Sequence, residues 1–340
     1  MLASTGQHMV LGGRICFDAV NAAGGVHGAL IRHEVLDDGY QVAETERATR
    51  SLLARPEVLA LFGLAGTANI SQLLHSGLLQ QGGAALVAPY TGGEALRTPF
   101  NPWIFHLRAG YADEAEHMLQ QLSTIGVERV AVMYQNDGFG LAGLAGVRAA
   151  LARRSRQPLA EASYPRNTDQ VEAAVQAIRA LDAQAIIMIA VNRPAAAFIK
   201  RYRELGGGAQ LYSISVVDPA ELVQLAGLKN AHGVAITQVV PYPYRPMLPV
   251  VREYQQLLKA HAPGAEVNYT SFEEYLGAKT LVEALRRAGP QPTRARLLKS
   301  LEALHEFDLG GMTVSYGPDN RIGSRMVEVT VIGSNGRLVR

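Results

Sequence analysis

Cysteine is all but missing from these 340 residues: Cys16 stands alone, which excludes an intrachain disulfide and any cysteine-built zinc or iron–sulfur cage. It lies in Ile15-Cys16-Phe17, an apolar stretch that reads as a helix face, where a thiol behaves as a small inert hydrophobe. Charge is sparse as well. Charged residues make up 18%, 32 basic side chains against 30 acidic ones leave a net charge of +2, and no run of Lys or Arg exceeds two. That balance offers no electrostatic footprint to a nucleic-acid backbone. Long apolar runs are lacking too, the most prominent being 185–191, far below the ~20 residues of a membrane helix. The opening Met1-Leu2-Ala3-Ser4-Thr5-Gly6-Gln7 has neither the basic start nor the apolar core of a secretory signal, which taken literally points to the cytoplasm.

The usual signatures of catalysis are also missing. The nine histidines never pair at helical metal spacing, and neither H-E-x-x-H nor G-x-S-x-G occurs. Glu114 and His117 share a helix face, which reads as a solvated charged face. Asp37-Asp38-Gly39-Tyr40 reads as a charged turn at a strand end. No catalytic assembly, metal site or cofactor is expected.

Apolar residues, at 48%, and 34 glycines are plentiful. A chain about twice the length of a typical domain of ~100–200 residues suggests two lobes with substantial cores. Candidate strands at 31–36, 58–62, 84–87, 129–134, 159–164, 185–190, 211–215 and 233–239 alternate with segments of helical period. The clearest helix follows Thr168, with Val171, Ala174, Val175, Ile178 and Leu181 forming one stripe. Repeated alternation of this kind predicts an α/β architecture of parallel sheets with crossover helices. Pro- and Gly-rich breaks fall at 99–103, 241–246 and 316–320. A long helix is expected over 273–287 and a last β-rich run over 326–332.

Gly138-Phe139-Gly140-Leu141-Ala142-Gly143 is a literal G-x-G-x-x-G, the pattern of a dinucleotide-binding turn. Asp137 immediately before it would set a negative charge beside a phosphate. Two other strand-to-helix junctions carry more: 62–69, with Ala65, Gly66 and Thr67, and 87–94, with Tyr90, Thr91 and Gly92. Each runs a buried strand into small residues and a threonine before a helix, leaving main-chain N–H groups at a positive helix end. Such ends bind carboxylates. Either threonine could equally cap its own helix, but a pair of junctions at neighbouring strand ends is where open α/β sheets place ligands.

The run 17–28, the turn at 37–40, the two junctions, and Ala131 to Gly140 together resemble the type I periplasmic binding proteins, and within them the branched-chain amino-acid receptors of ABC importers. The likeness extends through Ser163-Tyr164-Pro165-Arg166-Asn167-Thr168 and Val250 to Tyr254. It implies two Rossmann-like lobes joined by three hinge crossovers, matching the breaks near 108, 241 and 317. Lobe one would comprise 1–109 with 243–317, and lobe two 110–242 with 318–340. The implied protein is not an enzyme: it is an extracytoplasmic solute-binding protein that traps a small carboxylate between the lobes and passes it to membrane permease subunits, without inserting in the membrane. The resemblance places Ala65, Gly66, Thr67, Tyr90, Thr91 and Gly92 at the carboxylate and Phe139 as an aromatic lid. Asn192 and Arg193, at the end of the 185–191 strand, are further candidates, with a solvated loop arginine as the plain alternative for Arg193.

Two departures stand out. The second-lobe acid that accepts a ligand's ammonium in the branched-chain receptors aligns with Ser215. Asp218 would replace it if the loop is shifted, or else cap the next helix ahead of Pro219. A carboxylate lacking an amine, aromatic in view of Tyr90 and Phe139, is therefore a rival to an amino acid. The family's signal peptide and first strand have no counterpart here either, so the sheet of lobe one should be left with unpaired backbone, and the natural protein is expected to be exported. A ligand sensor of the same fold and, distantly, a nicotinamide-dependent oxidoreductase using Gly138, Gly140 and Gly143 are the remaining alternatives.

Overall fold

The structure, a computed structural model, describes residues 2–340. Lobe one opens with helices α1 (Ala3–Ala22) and α2 (Val42–Leu53), followed by strand β1 (Ala60–Phe62), helices α3 (Thr67–His75) and α4 (Leu78–Gly82), and strands β2 (Ala85–Val87) and β3 (Ile104–Phe105). The chain then crosses into lobe two. There α5 (Tyr111–Thr124), β4 (Val130–Gln135), α6 (Gly138–Ala152), β5 (Ala160–Tyr164), α7 (Glu172–Arg179), β6 (Ala185–Ile189), α8 (Asn192–Glu204), β7 (Gln210–Ser213), α9 (Pro219–Ala226), α10 (Leu228–Ala231) and β8 (Ala235–Gln238) alternate as the pattern predicted. A second crossover returns to α11 (Pro249–His261), α12 (Tyr269–Ala288), α13 (Arg294–Glu302) and the antiparallel ribbon β9 (Phe307–Asp308) and β10 (Thr313–Val314). A third leads to β11 (Glu328–Ile332) and β12 (Leu338–Val339), which join the sheet of lobe two.

That sheet has the order β12-β11-β8-β7-β6-β4-β5, with β4 to β8 mutually parallel and β11 and β12 antiparallel at one edge. Its interior strand β6 is buried along its whole length, as its unbroken Ala-Ile-Ile-Met-Ile run requires when helices cover both faces. The helix after Thr168 forms with Ala174, Val175 and Ile178 inward. The G-x-G-x-x-G segment is the start of α6. The Asp137 carboxylate accepts from the N–H groups of Phe139 and Gly140 at 3.0 and 3.1 Å, so a carboxylate already holds the position a pyrophosphate would take. A side chain at Gly140 would strike the Gln135 carbonyl, and one at Gly143 would strike Ile189. Those glycines serve close packing, which removes the dinucleotide reading.

Lobe one is built differently. Its sheet holds only β1, β2 and β3, with Leu61 opposite Leu86 and Leu86 opposite Ile104. Its core comes largely from helices: Ile15, Cys16 and Phe17 of α1 pack with Phe272, Tyr275 and Leu276 of α12. Gly12 permits that approach, since a Cβ there would lie 2.1 Å from the Ser271 carbonyl. Burial pushes the Cys16 thiol up to about 12, in keeping with an inert core residue.

The strand expected over 31–36 does not form. The segment is extended, yet none of its main-chain groups from 32 to 36 finds a partner among the described residues. Side chains hold it instead. Asn21 brackets Ile31 with bonds of 2.8 and 2.7 Å, Arg55 grips Glu34 with two, and the His33 ring sits edge-on to Phe17 and Phe62. Between this segment and β1 runs a groove of about 1200 Å³ whose walls include Val10, Leu11, Leu36 and Leu59. A short β-rich run does not suffice for a strand, which needs a neighbour to pair with.

Candidate functional site

The loops after the parallel strands of both sheets meet between the lobes. In lobe one, the bond from Tyr90 N–H to the Leu64 carbonyl, 2.8 Å, knits the two junctions together. Gly66, at φ +100°, precedes the first residue of α3, Thr67, and contributes no side-chain cap. Thr67 therefore does not cap its own helix: its hydroxyl lies 2.7 Å from that of Thr91, and both residues are buried. The Thr91 hydroxyl also accepts from the Gly93 N–H at 3.1 Å. The second junction is not followed by the expected α-helix, only by a single 3-10 turn at Glu94–Leu96. Gly92 and Gly93 let Tyr111 and Thr67 approach to distances a side chain would forbid. The result is a pair of hydroxyls beside the N–H groups of the first turn of α3, the positive end of a helix dipole.

Tyr90 lines the next stretch of the cleft. Its hydroxyl is 3.1 Å from that of Thr270, and the Arg108 guanidinium lies 4.7 Å from its ring centre, a cation–π arrangement in a dry setting. Arg108 is completely buried. One of its nitrogens, Nη2, donates to the Ser215 hydroxyl across the lobes, Nε is 3.5 Å from Glu273, and Nη2 is 3.9 Å from Glu114. Burial alone would lower the arginine's pKa, and the two carboxylates more than offset it, leaving it above its ordinary value. Burial raises the Glu273 pKa against the pull of Arg108. Glu114 accepts from the Ser215 N–H at 2.8 Å, from the Ser215 hydroxyl at 2.9 Å and from the Thr237 hydroxyl. The solvated face expected for Glu114 is thus wrong: α5 turns it inward because buried donors of two strand ends converge there.

Phe139 is buried in the first turn of α6, edge-on to Tyr111 with ring centres 5.5 Å apart, in one apolar cluster with Met9 and Tyr90. Asp218 is the N-cap of α9, accepting from the Glu221 N–H at 2.8 Å, while its second oxygen, Oδ2, is buried without a partner. Burial raises its pKa. Asn192 is buried beside it, accepting from the Asp218 N–H at 2.7 Å and donating to Glu221. Arg193 points away: its side chain is 56% exposed and pairs with Asp169 at 3.4 Å. The first turn of α8 sends Asn192 inward and Arg193 to solvent.

Three residues of this region escaped sequence reasoning. Arg108 was seen only as the residue at a break, Glu114 was read with His117 as a surface pair, and Glu273 was absorbed into an amphipathic helix. A signal existed in the adjacent acids Glu273 and Glu274, set between Phe272 and Tyr275-Leu276, and in a lone arginine between Leu107 and Ala109.

At the mouth of the cleft, Arg166 of lobe two reaches into lobe one. It donates to the Tyr40 carbonyl at 2.6 Å and to Asn69 at 2.7 Å, lies over the Tyr40 ring at 4.1 Å, and is 3.3 Å from Asp137. Gln135 adds a bond of 3.3 Å to the Tyr40 hydroxyl.

The profile of the periplasmic binding protein family matches residues 1–337. A substrate-binding periplasmic protein from Ralstonia solanacearum is similar at 37% identity and a TM-score of 0.96, over 100% of this chain and 96% of that one. A possible leucine/isoleucine/valine-binding protein from Rhodopirellula baltica SH 1 is 28% identical with a TM-score of 0.94, covering 100% and 93%. The Leu/Ile/Val-binding protein homolog 8 of Brucella abortus (strain 2308) is 22% identical over 362 residues, 99% of this chain and 86% of its own. A match of that extent, on two lobes whose strand-end loops face each other across a cleft, places the chain in the periplasmic binding protein family with its type I fold.

Proposed function

We propose that the protein is an extracytoplasmic solute-binding component of an ABC importer, which captures a small carboxylate between its lobes by hinge closure and presents it to permease subunits. The observation that carries this reading is the Thr67–Thr91 hydroxyl pair beside the first turn of α3, a carboxylate seat that needs no fixed cation. Ala65, Gly66 and Gly92 shape that seat through their main chain, and Tyr90 and Phe139 supply the apolar wall. Ser215, Asn192 and Asp218 close the cleft from lobe two. Relatives named for leucine, isoleucine and valine binding favour ligands of that size.

The test is a thermal-shift screen against amino acids, aromatic acids and short aliphatic carboxylates, since a ligand that binds only the folded state raises the melting temperature. At least one small carboxylate is expected to shift it. Thr67→Ala and Thr91→Ala should each weaken that ligand by about tenfold, the scale of a lost hydrogen bond to a charged group. A panel without any shift, or a shift indifferent to both substitutions, would overturn the reading.

A further inference from the structure

Arg108 is a buried cation with part of its hydrogen-bonding capacity unused. Of its three nitrogens, Nη2 serves Ser215, while Nε and Nη1 are buried without a hydrogen-bond partner. Leaving such donors unmet in a dry site is costly. The neighbouring acids do not complete the set: Glu114 is taken up by Ser215 and Thr237, and Glu273 stands 3.5 Å from Nε, an ion-pair distance without a hydrogen bond. Position adds to the point. The guanidinium covers the ring of Tyr90, the residue next to Thr91 of the carboxylate seat, and reaches the opposite lobe at Ser215. The proposed seat at Thr67 and Thr91 thus adjoins Tyr90, whose ring Arg108 covers.

Chemistry decides what a ligand in that seat carries toward Arg108. An ammonium group near a buried guanidinium meets like charge at low dielectric, whereas a carbonyl, hydroxyl or second carboxylate oxygen supplies the acceptors that Nε and Nη1 lack. Of the nearby acids that keep a free oxygen, Asp218 has its other oxygen committed to capping α9, and Glu273 is engaged as the counter-ion of Arg108 itself.

We propose that Arg108 is a specificity-determining residue that anchors an oxygen acceptor, so that the ligand is a small carboxylate without an α-ammonium group: a 2-oxo acid, a 2-hydroxy acid or a dicarboxylate. This rests on the carboxylate-capture reading above and narrows it.

Titration calorimetry with matched pairs tests it: 4-methyl-2-oxopentanoate against leucine, phenylpyruvate against phenylalanine, and 2-oxoglutarate against glutamate. In at least one pair the amine-free member should bind at least about tenfold tighter, in line with the cost of unmet polar groups in a specific site. Arg108→Lys, checked for folding by its melting temperature, should weaken that member by about tenfold through loss of the planar fork. It should weaken any binding of the paired amino acid much less, a change in selectivity that a purely structural arginine would not produce. Tighter binding of the amino acid throughout, with loss on Asp218→Asn, would overturn the proposal while leaving carboxylate capture intact. Failure of every amine-free acid, or indifference of the selectivity to Arg108→Lys, would overturn it as well, and the threonine variants would then show whether carboxylate capture had failed too.

Discussion

Glu274 shows how a single side chain sets a pH response. It is 1% exposed, neither carboxyl oxygen has a hydrogen-bond partner, and burial, reinforced by Glu273, raises its pKa well above the usual carboxylate range. A carboxyl whose pKa is raised on folding stabilises the fold fully below its unfolded value of ~4.3 and loses that contribution as pH climbs through the folded value. Glu274→Gln should therefore stabilise the protein at about pH 8 by about 1–3 kcal/mol, the scale of relieving a buried charge without a partner. The gain should vanish toward about pH 4, where wild type is neutral at this position too. Melting curves of both proteins across that range check it, and a gain independent of pH would contradict the assignment. His106 acts with the opposite sign: burial depresses its pKa, so its contribution is lost as pH falls below the unfolded value of ~6.5. Side chains of this kind are the least legible part of the sequence. Nothing local separates Glu114, buried under three hydrogen bonds, from a surface glutamate, because its partners come from residues a hundred positions downstream.

At the scale of elements, the turn before α2 and the loops after β4 and β5 together clasp the mouth of the cleft. Arg166 carries most of that clasp, and Arg166→Ala removes two hydrogen bonds, an ion pair and the stacking on Tyr40 in one step. Contacts formed only when the lobes are shut act mainly on release. Ligand should leave the variant about tenfold faster with little change in association, as measured by stopped-flow fluorescence, and an unchanged release rate would show that the clasp does not govern opening. Elements were where the sequence spoke most clearly. The stripe of α7, the unbroken apolar run of β6 and the cap Asp218 all follow local rules of periodicity and capping, whereas Asp137, read only as a charge, is also a cap. The two strand-end junctions were equally visible, since small residues and a threonine after a buried strand leave a distinct trace. The exceptions were 31–36, a β-rich run whose fate depended on a neighbour, and the helix expected after the second junction, which is a single 3-10 turn.

The whole molecule is asymmetric, a broad seven-stranded sheet in one lobe facing three short strands backed by helices in the other. The groove beside β1 gives that asymmetry a signature in amide hydrogen exchange. Gly63 N–H bonds to the Val87 carbonyl, so by the alternation of a strand Leu61 also faces β2, whereas Ala60 and Phe62 turn their main chain toward the groove. Amides of 60 and 62 should exchange like those of a loop, their neighbour 61 should be protected, and Ile187, flanked on both sides by paired strands, should exchange only on unfolding of its lobe. Equal protection of 60, 61 and 62 would mean that the groove is filled in solution. Otherwise the lobe proposed to seat the carboxylate is also the softer of the two, and ligand capture would join a pliant half to a rigid one.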